Sequence, residues 1–181
     1  MVKSAYSIET KKEKIESHVL VVWVDNEAGA LARVVGLFSG RGYNIDSLAV
    51  AEVDKKKNIS RITIATSGTL QVLQQIKLQL GKLIPVHQVA DFPKNKKTLL
   101  REMALLKVVS SKAKLEKAKK LCKKYKYTML DRTEKSFVLE VSALKKEIDE
   151  LVKKLQPLGL ASTSRTGVVA MTKGSEIYKQ S

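Results

Sequence analysis

Three groups of residues in this chain have the types or spacing that chemistry requires. The first would serve metal or thiol chemistry. His18 and His87 are the only histidines and Cys122 the only cysteine. No CxxC or HxxxH spacing clusters them, so both histidines read as structural and no intramolecular disulfide is possible. Cys122 falls on the apolar side of a helical pattern and reads as a small buried residue. The second group, Gly36-Leu-Phe-Ser-Gly40, lacks the lysine of a phosphate loop. It also lies inside or at the end of a helix rather than before one. No nucleophile is legible beside a base, so nothing reads as a catalytic centre. The third group is Asp25-Asn-Glu-Ala-Gly-Ala-Leu31.

This third segment joins an apolar strand to a helix, and the first N–H groups of a helix lack intrahelical acceptors. They carry partial positive charge suited to a carboxylate. Gly29 removes the side chain that would keep a ligand from the backbone. Asn26 offers an amide donor, and Asn44, just after the next turn, offers a donor and an acceptor. Leu31, Ile45 and Leu48 supply apolar surface. The combination suits an amino acid with a short aliphatic side chain. From spacing alone an ordinary capped turn, with Asp25 or Asn26 as the cap, is favoured over that site.

The elements that position these residues follow from periodicity. His18 to Val24 is a continuous apolar run rich in β-branched residues, a buried strand. Leu31, Val34, Val35 and Phe38 fall at helical spacing, with Gly40 and Gly42 as stops. Asn44 to Glu52 and Ile59 to Thr66 read as strands joined by the turn Asp54-Lys-Lys-Lys-Asn58. Leu70 to Leu83 marks a second helix, ended near Gly81, and Pro85 to Phe92 a fourth strand. The order βαββαβ then repeats. Leu99 to Val109 is a strand and Leu115 to Tyr125 a helix. Tyr127 to Leu130 and Ser136 to Val141 are strands, Leu144 to Leu155 is a helix, and Ala161 to Met171 holds the last strand. The fold class is α+β: two ferredoxin-like domains in tandem, at 18–92 and 99–174. An N-terminal extension (1–17), a linker (93–98) and a tail (175–181) complete the chain. Helices would cover one face of each sheet, leaving the other face and the edges open to association.

The 181 residues carry a net charge of +16, which raises nucleic acid as a partner. The charge is uneven: residues 18–92 carry 8 Lys/Arg and 6 Asp/Glu, whereas residues 93–181 carry 22 and 9. Most of the excess is lysine on two C-terminal helices, the pattern of a solvated face. A strand surface that stacks bases needs aromatics; the third strand has none and the first only Trp23. No apolar run approaches the roughly 20 residues of a membrane span, and the polar N-terminus lacks the core of a signal peptide. A cytoplasmic protein is expected, with no nucleic-acid or membrane partner.

Asn26-Glu-Ala-Gly-Ala-Leu-Ala-Arg-Val-Val-Gly-Leu-Phe-Ser39, followed by Arg41-Gly-Tyr-Asn-Ile-Asp-Ser-Leu48, resembles the ACT domain of acetolactate synthase (acetohydroxyacid synthase) small subunits. Ser60-Arg-Ile-Thr-Ile64 and Gln74 to Leu83 continue the likeness. Arg101-Glu-Met-Ala-Leu-Leu-Lys-Val108 and Arg165-Thr-Gly-Val-Val-Ala170 resemble that family's C-terminal domain. The resemblance runs from His18 to about Gly174. It implies an ACT homodimer with effector sites at the interface. Asn26, Gly29, Ala30 and Leu31 of one chain and Asn44 and Ile45 of the other would meet the ligand's carboxylate and amino group. The implied effector is a branched-chain amino acid, usually valine. The implied role is to activate the large catalytic subunit and confer feedback inhibition. Thiamine diphosphate, magnesium and FAD would sit on that partner, with no cofactor in this chain. The lysines at 55–57 depart from the family's usual acidic residues and proline, away from the implied site.

Two other classes remain as rivals. One is a stand-alone ACT-type amino-acid sensor acting on nucleic acid through the basic C-terminal half; its mark would be salt-dependent binding. The other is a small enzyme of acylphosphatase type. It needs an anion-binding arginine in the first loop, where this chain has Asp25, Asn26 and Glu27.

Overall fold

A computed structural model describes residues 14–92 and 97–175. The extension (1–17), linker (93–98) and tail (175–181) read from the sequence thus lie outside the described residues, apart from 14–17, 97–98 and 175. The first half contains β1 (Glu16–Asp25), α1 (Ala30–Gly40), β2 (Ser47–Asp54), β3 (Ile59–Gly68), α2 (Leu70–Leu80) and β4 (Val86–Phe92). The second contains β5 (Thr98–Val109), α3 (Lys112–Cys122), β6 (Tyr127–Arg132), β7 (Ser136–Ala143), α4 (Lys145–Leu155), a short 3-10 turn (Gln156–Leu158), β8 (Leu160–Arg165) and β9 (Val169–Thr172). The sheets run β2-β3-β1-β4 and β6-β7-β5-β8, with β9 added beside β5. All strand pairs are antiparallel. The α+β reading and both βαββαβ repeats therefore hold.

Helices pack on one face of each sheet because their apolar residues recur at three- and four-residue intervals. Val34, Leu37 and Phe38 of α1 and Leu73, Ile76 and Leu80 of α2 are buried. With them, Leu20, Val22, Val24, Ile62 and Ile64 form the core of the first half. Leu115, Ala118, Cys122, Ile148, Leu151 and Leu155 do the same for the second, over Ala104, Leu106, Val108, Phe137 and Leu139.

The opposite face of the first sheet is not left open. Val19, Val21 and Trp23 of β1 pack there with Ala65, Ala90 and Phe92, beneath Val168 and Ala170 from the end of the chain. This corrects the expectation of a free sheet face. It also explains why 19–24 reads as one apolar run rather than an alternating one: β1 is buried on both sides. Arg61 reaches across this face. Its guanidinium lies 5.3 Å from the Trp23 ring centre and 5.8 Å from that of Phe92, and donates to the Ala170 carbonyl. Its burial lowers its pKa. Trp23, the aromatic of the first strand, is 7% exposed and so closed to a stacking base.

Two strand readings are corrected. The last strand, expected over Ala161 to Met171, is broken into β8 and β9 by the turn Thr166–Val168. Gly167 has φ +81 there, a conformation that L side chains rarely adopt. The second strand begins at Ser47, not Asn44. The Asn44 carbonyl accepts from the Thr66 hydroxyl at 2.6 Å, and the Asp46 carboxylate takes the Asn44 amide and the Ser67 hydroxyl. Local side-chain bonds of this kind compete with a ladder.

Cys122 is fully buried, and burial pushes its thiol up from 9.0 to about 11. Below about pH 9 the thiol is protonated in folded and unfolded chains alike. From there to about pH 11 only the unfolded chain ionises it, so stability falls as pH rises through that window. A disulfide reagent at mildly alkaline pH should leave the folded chain unlabelled and react fully after unfolding in guanidinium. Rapid labelling of the folded chain would contradict this packing.

Candidate functional site

The loop after β1 is built on backbone conformation rather than on a side-chain cap. Asn26 N–H donates to Asn58 O at 2.7 Å and Asp25 N–H to Pro85 O at 2.8 Å, which ties the loop to the neighbouring turns. Gly29 then occupies the cap position of α1 with φ +89 and no side-chain cap bond. α2, by contrast, is capped by Thr69, whose hydroxyl accepts from Val72 N–H. The ordinary capped turn is thus corrected. Asp25 binds His87 at 2.6 Å instead, and Asn26 Oδ1 accepts the Ser60 hydroxyl at 3.0 Å. Neither side chain reaches the helix.

The consequence is an open helix N-terminus. Ala30 N–H turns back to Glu27 O at 3.3 Å, and Arg33 N–H closes the first helical bond to Gly29 O at 3.0 Å. Between them, the N–H groups of Leu31 and Ala32 have no acceptor among the described residues. A Cβ on Gly29 would meet nothing within 4 Å, so the space above the backbone is clear. The nearby acids are paired: Glu27 with Arg33 at 3.0 Å, Asp25 with His87. Partial positive charge at the helix end therefore faces solvent.

The structure brings some predicted site residues together and separates others. Asn26, Gly29, Ala30 and Leu31 share this loop. The Ala30 side chain is 3% exposed and belongs to the core, so only its backbone reaches the loop surface; Leu31 is 39% exposed. Asn44 and Ile45 lie elsewhere. β3 register aligns Ser47 with Ala65 and Val19, whereas Asp25 and Asp54 align with Ile59. The two groups sit at opposite ends of the sheet, about 20 Å apart over six strand residues at about 3.3 Å each. Ile45 packs partly against the first core, and Asn44 is exposed. Among the described residues no group of three or more His, Cys, Asp or Glu is placed to hold a metal ion.

One arrangement escaped the sequence reading. Glu102, 3% exposed, receives Arg165 Nε and Nη2 at 2.6 and 2.8 Å, and Arg165 Nη1 reaches Asp149 at 2.6 Å. Glu102 and Asp149 hold the guanidinium firmly protonated, above its ordinary range. The signal was present: the one acid of the motif at 101–108 and the one arginine of the motif at 165–170. The same turn meets the first half, since Val168 N–H donates to Ser47 Oγ at 3.3 Å. A Cβ on Gly167 would stand 3.2 Å from that of Ser47. The carboxy-terminal turn therefore abuts the residue that follows Asn44, Ile45 and Asp46.

Comparison with known proteins covers both halves. A family model described as an AHAS small subunit-like ACT domain matches residues 20–88. One described as the small subunit of acetolactate synthase matches residues 101–174. The acetolactate synthase small subunit of Aquifex aeolicus is 33% identical over 174 residues, spanning 95% of this chain and 89% of its own. The acetolactate synthase isozyme 3 small subunit of Salmonella typhimurium is 35% identical over 162 residues, 89% of this chain and 98% of its own. Among solved structures, the small subunit from Thermotoga maritima superposes with a TM-score of 0.80 at 28% identity. That match covers 89% of this chain and 99% of the other.

Replacing Glu102 by alanine removes a buried carboxylate and leaves Arg165, an exposed residue, with Asp149. Hydrogen bonds to charged groups are worth about 1.5–3 kcal/mol, so Glu102→Ala is expected to lower unfolding free energy by about 1–3 kcal/mol in urea titration. A change below about 0.5 kcal/mol, the scale of an exposed pair, would show the network to be ornamental.

Proposed function

The chain belongs to the acetolactate synthase small-subunit family, and on that premise we propose that it is a non-catalytic regulatory subunit. In this reading it binds a branched-chain amino acid, valine foremost, between two paired ACT domains, activates the large catalytic subunit and confers feedback inhibition on it. Residues 18–92 form the regulatory domain and 99–174 the second ferredoxin-like domain. The thiamine diphosphate, magnesium and flavin belong to the catalytic partner. The effector contacts are Asn26, Gly29, Ala30 and Leu31 of one chain with Asn44 and Ile45 of the second copy.

The observation that carries this reading is the uncapped N-terminus of α1 above Gly29. Zwitterionic amino acids present a carboxylate suited to free N–H groups, and the small ligand needs the clear backbone that glycine leaves. Sheet topology supports the division between chains. β2 is an edge strand, with Val50 44% and Val53 49% exposed. A two-fold axis across that edge reverses the partner's sheet. Asn44 and Ile45 at the Ser47 end then face the end where the partner's loop lies. The outer side of α1 favours the same pairing. Ala32, Gly36 and Gly40 recur there every four residues, and a Cβ on Gly36 would meet nothing within 4 Å. A mid-helix glycine costs about 1 kcal/mol relative to alanine and brings no contact within this chain. Close approach of a second helix would justify it. The Ser47–Val168 contact offers a path from the effector end to the carboxy-terminal half.

Two outcomes are expected. Calorimetry should detect valine binding to the intact chain, and Gly29→Asp should weaken it at least about a hundredfold, about 2.7 kcal/mol. Aspartate both strains at φ +89 and repels the ligand's carboxylate. In assays with the co-purified catalytic subunit, valine should inhibit only when this subunit is present. Absence of heat with valine, leucine and isoleucine would refute the reading. Separately, Gly36→Leu should lower dimer mass in analytical ultracentrifugation while the fold persists by circular dichroism. An unchanged dimer would remove α1 from the interface.

A further inference from the structure

Two asparagines stand at opposite ends of the first sheet, and each has one end of its amide already committed. Asn44 Nδ2 donates to Asp46 Oδ1 at 2.7 Å. A carboxylate can only accept, so the nitrogen must face Asp46 and Oδ1 must face away. That oxygen has no partner among the described residues. Asp46 is itself held: its second oxygen accepts the Ser67 hydroxyl at 2.8 Å and its N–H donates to Ala65 O at 2.8 Å. The Asn44 carbonyl is fixed as well, by Thr66. The exposed group at this end is therefore an oriented acceptor backed by a full negative charge.

Asn26 is arranged the other way. Its Oδ1 accepts the Ser60 hydroxyl at 3.0 Å, and Ser60 is 6% exposed. Its main chain is tied to Asn58 from both sides. The amide nitrogen is left outward as a donor, beside the free N–H groups of α1. With Asp25 and Glu27 bonded to His87 and Arg33, the groups left without partners beside the helix end are donors.

Resting on the regulatory reading above, we propose that Asp46 and Ser60 are positioning residues that give the effector site its polarity. Ser60 aims Asn26 Nδ2, with the α1 N-terminus, at the ligand's carboxylate. Asp46 aims Asn44 Oδ1 of the partner subunit at the ligand's ammonium. The site is thereby selective for a zwitterion bound in one orientation. A hydroxy acid lacks the cation that Asp46 favours, and an amino acid amide lacks the anion that Asn26 and the helix favour. Charge-assisted hydrogen bonds are about twice as strong as neutral ones, so each charge carries discrimination.

The test uses the full chain and three probes: valine, 2-hydroxy-3-methylbutanoate, which keeps the carboxylate without the ammonium, and valinamide, which keeps the ammonium without the carboxylate. Affinities are read by calorimetry, or by displacement of valine where a probe binds weakly. Asp46→Asn should reduce the preference for valine over the hydroxy acid at least tenfold, chiefly by weakening valine, and Asp46→Glu should restore part of it. Ser60→Ala should instead erode the preference for valine over valinamide. Thermal unfolding shows whether each variant is folded, and a general loss of structure would move all three probes together. Unchanged preferences in folded variants, or equal losses for every probe, overturn the proposal. Failure of the unsubstituted chain to bind valine, leucine or isoleucine overturns the regulatory reading instead.

Discussion

Burial of β1 on both faces is the constraint from which the rest of this structure follows. Leu20, Val22 and Val24 face the helices, and Val19, Val21 and Trp23 face the segment that returns from the end of the chain. A strand buried on both sides leaves little room for polar groups without partners; Arg61 Nε and Gln88 Oε1, opposite Trp23, are the buried exceptions among the described residues. The exposed polar groups of the candidate residues accordingly lie at the two ends of the sheet. One end holds Asn26 and the start of α1; the other holds Asn44, Asp46 and Ser67. Asn26 and Asn44 therefore lie a strand's length apart.

The second half contributes through that constraint too. Without Val168 and Ala170 the Trp23 face would be open to water. Arg61 belongs to this closure: it lies over two rings and bonds a β9 carbonyl, replacing part of the hydration it loses. Arg165 is a second anchor, tying β8 to β5 and α4 just before the chain turns onto the first sheet. Beside this apolar junction, Ser47 receives Val168 N–H next to the Asn44 end.

Much of the fold was legible in local pattern. Helix spacing identified the four long helices, and the turn at Asp54 to Asn58 showed its chemistry: Asp54 accepts from Lys56 and Lys57 N–H, and Asn58 adopts positive φ. Errors fell where tertiary partners outweighed local preference. Asn44 to Asp46 looked like strand because the residues suit one, but side-chain bonds to Thr66 and Ser67 hold them apart from the ladder. Thr166–Val168 looked continuous because the residues on either side suit a strand, but Gly167 takes φ +81 there and the chain turns against Ser47.

The sequence by itself determined the α+β repeat, the apolar strand, and the identity of the residues around Gly29, because these depend on periodicity and on the nature of single side chains. It could not decide what those side chains bind. Asp25 and Asn26 had the chemistry of a cap, and only the tertiary structure placed His87 and Ser60 close enough to take them. It likewise left open the distance between Asn26 and Asn44, which is set by strand register and not by their separation of eighteen positions. Hydrogen bonds are short-ranged and directional, so their partners are chosen by the fold and not by composition.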